Sequence, residues 1–277
     1  MKEEANKEAK MALETYRGYS SLSFQREGRI LYITIDYETK RNAVDSLLHQ
    51  ELSRVFYDVN LDGNSDVVVL QGKGRWFCAG GDMKWFQELI DDKTRWRDMI
   101  VEAKKIINGL LELEKPIIAK VNGAAAGLGA SIALLCDIVY MSDTTQIGDP
   151  HVRMGLVAGD GGAIIWPYLV GMNRAKEMLL TGRMLSAEEA RQLGLVNHVV
   201  PANELDAAVD KAARELASGA TLAIRWTKTI LNLELRRINA AITDAALAYE
   251  SLTNDSHDHQ EAVTAFVEKR PPRFSGR

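Results

Sequence analysis

KPIIAKVNGAAAGLGASIALLCDIVYMSD, residues 115–143, carries strand, loop, helix and strand in one run. PIIAKVNG is apolar without alternation, the pattern of a strand buried on both faces. Gly123 to Ser131 are, apart from Leu128, small residues that let a backbone approach a neighbour closely. The apolar run that follows reads as a helix ending near Cys136, and DIVYMS as another strand. The same order occurs upstream. VVVLQGKG (67–74) is a buried strand, Cys78-Ala79-Gly80-Gly81-Asp82 is a glycine loop, and residues 84–113 have helical periodicity through Trp85, Phe86, Leu89, Ile100, Ile106 and Leu110. Pro116 closes that helical stretch. Strands alternating with helices specify an α/β fold.

Outward from this centre, LSFQREGRILYITID (22–36) reads as two strands around a turn at Glu27-Gly28. Asn42 is placed to cap a helix over 44–60. Residues 171–195 read as helices, with a capping box at Ser186 and Glu189, and VNHVVP (196–201) as a short strand. Residues 203–269 read as almost wholly helical. The resulting division is a polar extension over 1–20, an α/β core over 21–200 and a helical region over 201–277.

Composition bounds the function. The 277 residues suffice to bury roughly three-quarters of the unfolded surface. Lys and Arg total 34 against 38 Asp and Glu, a net charge of −4 that argues against nucleic-acid binding. Cys78 and Cys136 form no CxxC pair, so no zinc site or disulfide framework is expected, and a cytoplasmic location fits. The charged start MKEEANKEAK is no secretory signal, and no apolar stretch is long enough to span a membrane.

Two glycine loops, each between a strand and a helix, can present unpaired N–H groups to one anion or oxyanion. Neither is a phosphate loop of the GxxxxGK[ST] kind. Spacing alone equally allows glycines that only pack helix on strand.

Six ordered segments extend the pattern: KRNAV (40–44), RWFCAGGDMKWF (75–86), the run 115–143, GLVAGDGG (155–162), LTGRMLSAEEARQLGLVNHVVP (180–201) and AFVEKRPPRF (265–274). With these the chain resembles the enoyl-CoA hydratase/isomerase, or crotonase, family from about residue 22 to its end. The resemblance implies a spiral of ββα turns with a helical C-terminal trimerisation region, and trimers that can pair into hexamers. It implies an acyl-CoA substrate, a thioester enolate as intermediate, and no cofactor beyond the CoA of the substrate. It puts the two oxyanion donors at the N–H groups of Gly81 and Leu128. CoA contacts fall at Lys40, Asp82, Met83 and Lys84, with Lys269 coming across from a neighbouring subunit.

The sequence departs from the family at its acid/base positions. Ser131 and His151 stand where hydratases of the family carry two glutamates. A serine hydroxyl orients water but takes no proton near neutrality. His151 is therefore the expected general base, titrating near its ordinary value of about 6.5. Asp160, in Gly159-Asp160-Gly161-Gly162, is either a working aspartate or a turn residue. Asp149 reads as a cap or turn. Trp76, Trp85, Phe86 and Trp96 line an acyl pocket or belong to the core. Trp166 and Tyr168 lie at the far end of the substrate or at an interface. His257 and His259 read as a solvated loop, and no metal site is expected. The expected chemistry is hydration or isomerisation of an enoyl-CoA. C–C bond hydrolysis, thioester hydrolysis and silent acyl-CoA binding remain as alternatives.

Overall fold

The structure, a computed structural model, describes residues 14–277. Most of the polar extension expected over 1–20 lies outside the described residues. The first strands, β1 (Leu22–Glu27) and β2 (Ile30–Ile35), form the antiparallel hairpin. The helix α1 (Ser46–Leu61) is capped by Asp45, whose carboxylate accepts from the Leu48 N–H. Asn42, the expected cap, instead takes φ 53° and uses its amide to hold Tyr37, Lys73 and Trp76. An asparagine side chain that mimics backbone serves such a turn better than a helix start.

The next passes repeat one unit. β3 (Val67–Gly72) and β4 (Trp76–Cys78) lead into α2 (Met83–Asp91) and α3 (Lys93–Glu112). Asp92 ends α2 and caps α3, which splits the single stretch read over 84–113. β5 (Ile117–Val121) and β6 (Ala124–Ala126) lead into α4 (Leu128–Leu135). β7 (Ile138–Ser142) and β8 (Gln146–Gly148) lead into a 3₁₀ turn, His151–Met154, and then α5 (Gly162–Val170). Each pass gives one strand to each of two sheets. The chain continues through α6 (Met172–Thr181), β9 (Met184–Ser186), α7 (Ala187–Gln192) and β10 (His198–Val200). The expected capping box of Ser186 and Glu189 is present. The six-stranded sheet runs β1-β2-β3-β5-β7-β10, parallel from β2 onward, and the four-stranded sheet runs β4-β6-β8-β9.

Three helices complete the chain: α8 (Leu205–Ser218), α9 (Thr221–Asn254) and α10 (His257–Val267). Leu205, Val209 and Ala213 of α8 bury one face of the large sheet against Ile30, Tyr32, Val67, Val69 and Ile118. The other face packs against α1, α3 and α4. Among the described residues no helix is long and apolar enough to cross a membrane.

The two sheets meet where β3 turns into β4. A Cβ at Gly72 would lie 2.0 Å from the Trp76 carbonyl oxygen, and one at Gly123 would lie 2.0 Å from that of Arg75. Only glycine fits either position. Asn122 fastens this crossing: its Oδ1 accepts from the Gly72 N–H at 3.0 Å, and its Nδ2 donates to the carbonyls of Gly72 and Gly74, both at 2.9 Å. Asn122→Ala leaves these backbone groups unpaired and is expected to lower stability by about 1–3 kcal/mol in urea unfolding. A midpoint equal to that of the parent chain would show that the crossing does not need this side chain.

Candidate active site

The parallel pairing of Trp76 with Ala124 and Cys78 with Ala125 sets the ends of β4 and β6 side by side. Both glycine loops therefore open into one cavity of about 760 Å³. Gly81 and Leu128 are both on its wall. Around Gly81 the backbone bonds run from Val44 N–H to the Gly80 carbonyl and from Asp82 N–H to the Val44 carbonyl. They pass over the Gly81 N–H, which has no acceptor among the described residues. Leu128 is the first residue of α4, ahead of that helix's first hydrogen-bonded turn, so its N–H is also unclaimed. Gly127, at φ 54°, makes the bend. A Cβ there would lie 3.3 Å from Cε1 of His151, so the catalytic loop and the imidazole touch.

His151 stands on the 3₁₀ turn that Gly155, at φ 68°, terminates. It is almost fully buried between two carboxylates. Nδ1 donates to Asp149 Oδ1 at 2.5 Å, and Nε2 faces Asp160 Oδ2 at 3.3 Å. Burial alone would lower the imidazole pKa. The charges of Asp160 and Asp149 outweigh it and raise it well above 6.5. Both ring nitrogens of His151 thus face carboxylate oxygens. The raised pKa departs from the expected titration near 6.5, and Asp160 is the carboxylate that faces Nε2. The Oδ1 of Asp160 is buried without a partner among the described residues, and the residue lines the cavity.

A further acid was not foreseen. Glu250 comes from α9, is buried, lines the cavity and sets its Oε2 against Gly159. Burial first, then the facing Asp160, raise its pKa well above the ordinary carboxyl value, while His151 opposes them. The signal of Glu250 in the sequence is a buried stripe, Thr243, Leu247, Glu250 and Asn254, at helical spacing. An acidic residue on the inward stripe of a helix is rarely there for packing.

Asp149, His151 and Asp160 offer donor atoms within 4.8 Å of one another, a spacing that fits a cation. Mutual ion pairing already occupies both imidazole nitrogens. Ser131 is fully buried behind the cavity wall, where a Cβ at Gly161 would lie 3.1 Å from its own Cβ.

Lys40, Asp82, Met83, Lys84 and Lys269 all line the same cavity, joined by Arg41 and Arg153. Lys40 pairs with Asp45 at 2.6 Å. The Asp82 carboxylate caps α2 through the N–H groups of Lys84 and Trp85, which commits it to the fold. Lys269 follows α10 and reaches the cavity of its own chain. Trp85, Phe86 and Trp96 are wall residues, whereas Trp76 stacks under Arg41 outside the cavity. Trp166 is core and Tyr168 is exposed. His257 and His259 form no solvated loop: they begin α10, and buried His259 bonds the Met154 carbonyl beneath the catalytic turn.

The Enoyl-CoA hydratase/isomerase family model matches residues 25–277. The chain belongs to the enoyl-CoA hydratase/isomerase family. A short-chain-enoyl-CoA hydratase of Clostridium acetobutylicum is 34% identical over 91% of this chain and 96% of its own. An enoyl-CoA hydratase/isomerase structure from Mycobacterium paratuberculosis superposes with a TM-score of 0.85 at 35% identity, covering 88% of this chain and 97% of the other. A β-diketone hydrolase from the cyanobacterium Anabaena, solved with (S)-3-oxocyclohexyl acetic acid, gives a TM-score of 0.82 at 32% identity, over 87% of this chain and 97% of its own.

The ion pairs of His151 have a pH signature. Its folded pKa is raised, so its stabilisation is complete below the ordinary value of 6.5 and is lost as pH rises through the elevated one. His151→Gln should therefore cost more melting temperature at about pH 6 than at about pH 9, followed by circular dichroism. A penalty that grows with pH would show that the ring is buried neutral.

Proposed function

We propose that the chain hydrates an enoyl-CoA thioester through an enolate held by the N–H groups of Gly81 and Leu128. The observation that carries this reading is the pair of carboxyl groups in the cavity: an unpartnered Asp160 oxygen beside a Glu250 whose proton affinity burial and Asp160 raise. Two carboxyl groups with separated proton affinities are what acid/base assignments are made of. They supply what the glutamates absent at Ser131 and His151 would have supplied.

The water oxygen bonds the β-carbon while its proton passes to Asp160. The electron pair of the double bond moves to the thioester oxygen, where the two N–H groups meet the new charge. Glu250 then protonates the α-carbon, giving a β-hydroxyacyl-CoA. A proton returned from Asp160 to Glu250 resets the site. The His151 imidazolium keeps Asp160 aimed and keeps two carboxylates in one buried space compatible. Isomerisation uses the same pair to move a proton between carbons without water. CoA enters only as part of the substrate. Exposed Lys84 and Lys269, with Lys40 and Arg41, surround the cavity mouth with cations for its phosphates. Exposed Ala240, Ala241, Ala245 and Ala248 on α9, with exposed Trp226 and Ile230, support trimer assembly. The free, buried Cys78 and Cys136 support a reducing cytoplasm.

A second reading is hydrolysis of a C–C bond between two carbonyls. The imidazolium–aspartate pair favours it, as does the likeness to the Anabaena β-diketone hydrolase. There the Asp160-activated water attacks a keto carbon, and Glu250 protonates the carbon that leaves as an enolate.

Asp160→Asn and Glu250→Gln are each expected to lower kcat about 10²–10⁴-fold with little change in KM, the usual worth of a positioned acid or base. Loss of the conjugated enoyl absorbance measures hydration. Mass spectrometry of products from β-oxoacyl-CoA and cyclic diketones measures cleavage. An Asp160→Asn enzyme of normal kcat would remove the assigned base. A parent chain that binds these esters and turns over none would be a silent binder.

A further inference from the structure

We infer that the acyl end of the cavity is built around His49 to receive an acyl group bearing an oxygen function, a keto or hydroxyl group. The inference rests on the acyl-CoA reading above and goes on to name the acyl class.

The wall beyond Gly81 is apolar. A Cβ at Gly81 would meet Phe86, so that ring covers the loop. Phe86 stacks with Trp85 at 6.3 Å between centroids, and Trp85 lies 5.2 Å from the His49 ring. Leu89, Trp96 and Met99 complete this part of the lining. The sequence of rings leads from the thioester position to His49, so His49 meets the acyl chain and not the thioester itself.

His49 is 1% exposed and still lines the cavity. Its Nδ1 lies 2.6 Å from Glu102 Oε2, a bond from α1 to α3. The Nδ1–H donates to that carboxylate, which fixes the ring and leaves Nε2 as its remaining polar atom. Nε2 has no partner among the described residues. An alkyl chain packed here would bury that nitrogen unpaired, at a cost in binding. A hydroxyl can donate to Nε2. A keto oxygen can accept from an Nε2–H. A tie between two helices alone would not require an imidazole opening onto the substrate cavity. A pocket that pairs a substrate oxygen discriminates strongly against the analogue lacking it.

The test compares two saturated acyl-CoA esters of equal length, hexanoyl-CoA and 5-oxohexanoyl-CoA, with 5-hydroxyhexanoyl-CoA as a third probe. Isothermal titration calorimetry measures their affinities for the parent chain, His49→Leu and His49→Gln. The parent is expected to bind one or both oxygenated esters about 5- to 100-fold more tightly than hexanoyl-CoA. His49→Leu should lose that preference while holding hexanoyl-CoA at least as well, which also shows that it is folded. His49→Gln, which keeps a polar tip, should retain part of the preference. Equal affinity of the parent for all three esters overturns the inference and leaves the acyl-CoA reading standing. An undiminished preference in His49→Leu does the same. A parent chain that binds none of the three overturns both.

Discussion

The site depends on one pairing: β4 lies parallel to β6, with Trp76 beside Ala124 and Cys78 beside Ala125. That register puts two loops from separate passes of the spiral at one edge, and each presents a backbone N–H with no acceptor among the described residues. Backbone donors held in this way cost no reorganisation when charge develops on a substrate oxygen. The conditions for the pairing are strict. Gly72 and Gly123 allow backbones to cross where a side chain would not fit, and Asn122 supplies the hydrogen bonds that the crossing strands cannot. Small residues in these loops are therefore consequences of where the strands must go.

A second constraint is electrostatic. Asp149, Asp160 and Glu250 approach one another in a space almost closed to water. Three ionised carboxyls there would repel strongly. Raised proton affinities at both His151 and Glu250 ease this repulsion. The arrangement also reaches beyond the α/β spiral. Glu250 belongs to α9, and His259 of α10 bonds the turn that carries His151. The helical region after residue 200 thus completes the site as well as covering the sheet.

The strand–glycine–helix passes were legible because apolar runs, glycine loops and proline stops are local signals. The two glycine loops were legible for the same reason, whereas the assignment of Gly81 and Leu128 as donors came from the family resemblance. The acid/base set was legible only in part. His151 stood out as a titratable residue at a telling position, but its charge state depends on Asp149 and Asp160, which only the folded turn brings to its two nitrogens. Glu250 lies far along the chain, and helix α9 must pack against Gly159 before it reaches the cavity. His49 was hidden inside an amphipathic helix pattern, where a histidine on the inner face reads as core. Asn42 misled because a capping residue type can equally serve a left-handed turn, and the neighbouring Asp45 took the cap.

The central claim is that Gly81 and Leu128 direct two N–H groups at one thioester oxygen. Isotope-edited infrared difference spectroscopy on a bound acyl-CoA labelled at the thioester carbonyl tests it most directly. Two converging donors weaken the C=O bond, so the band is expected to shift to lower frequency than in water and to narrow into a single environment. A bound carbonyl that absorbs at or above its frequency in water would mean that the two loops do not polarise it.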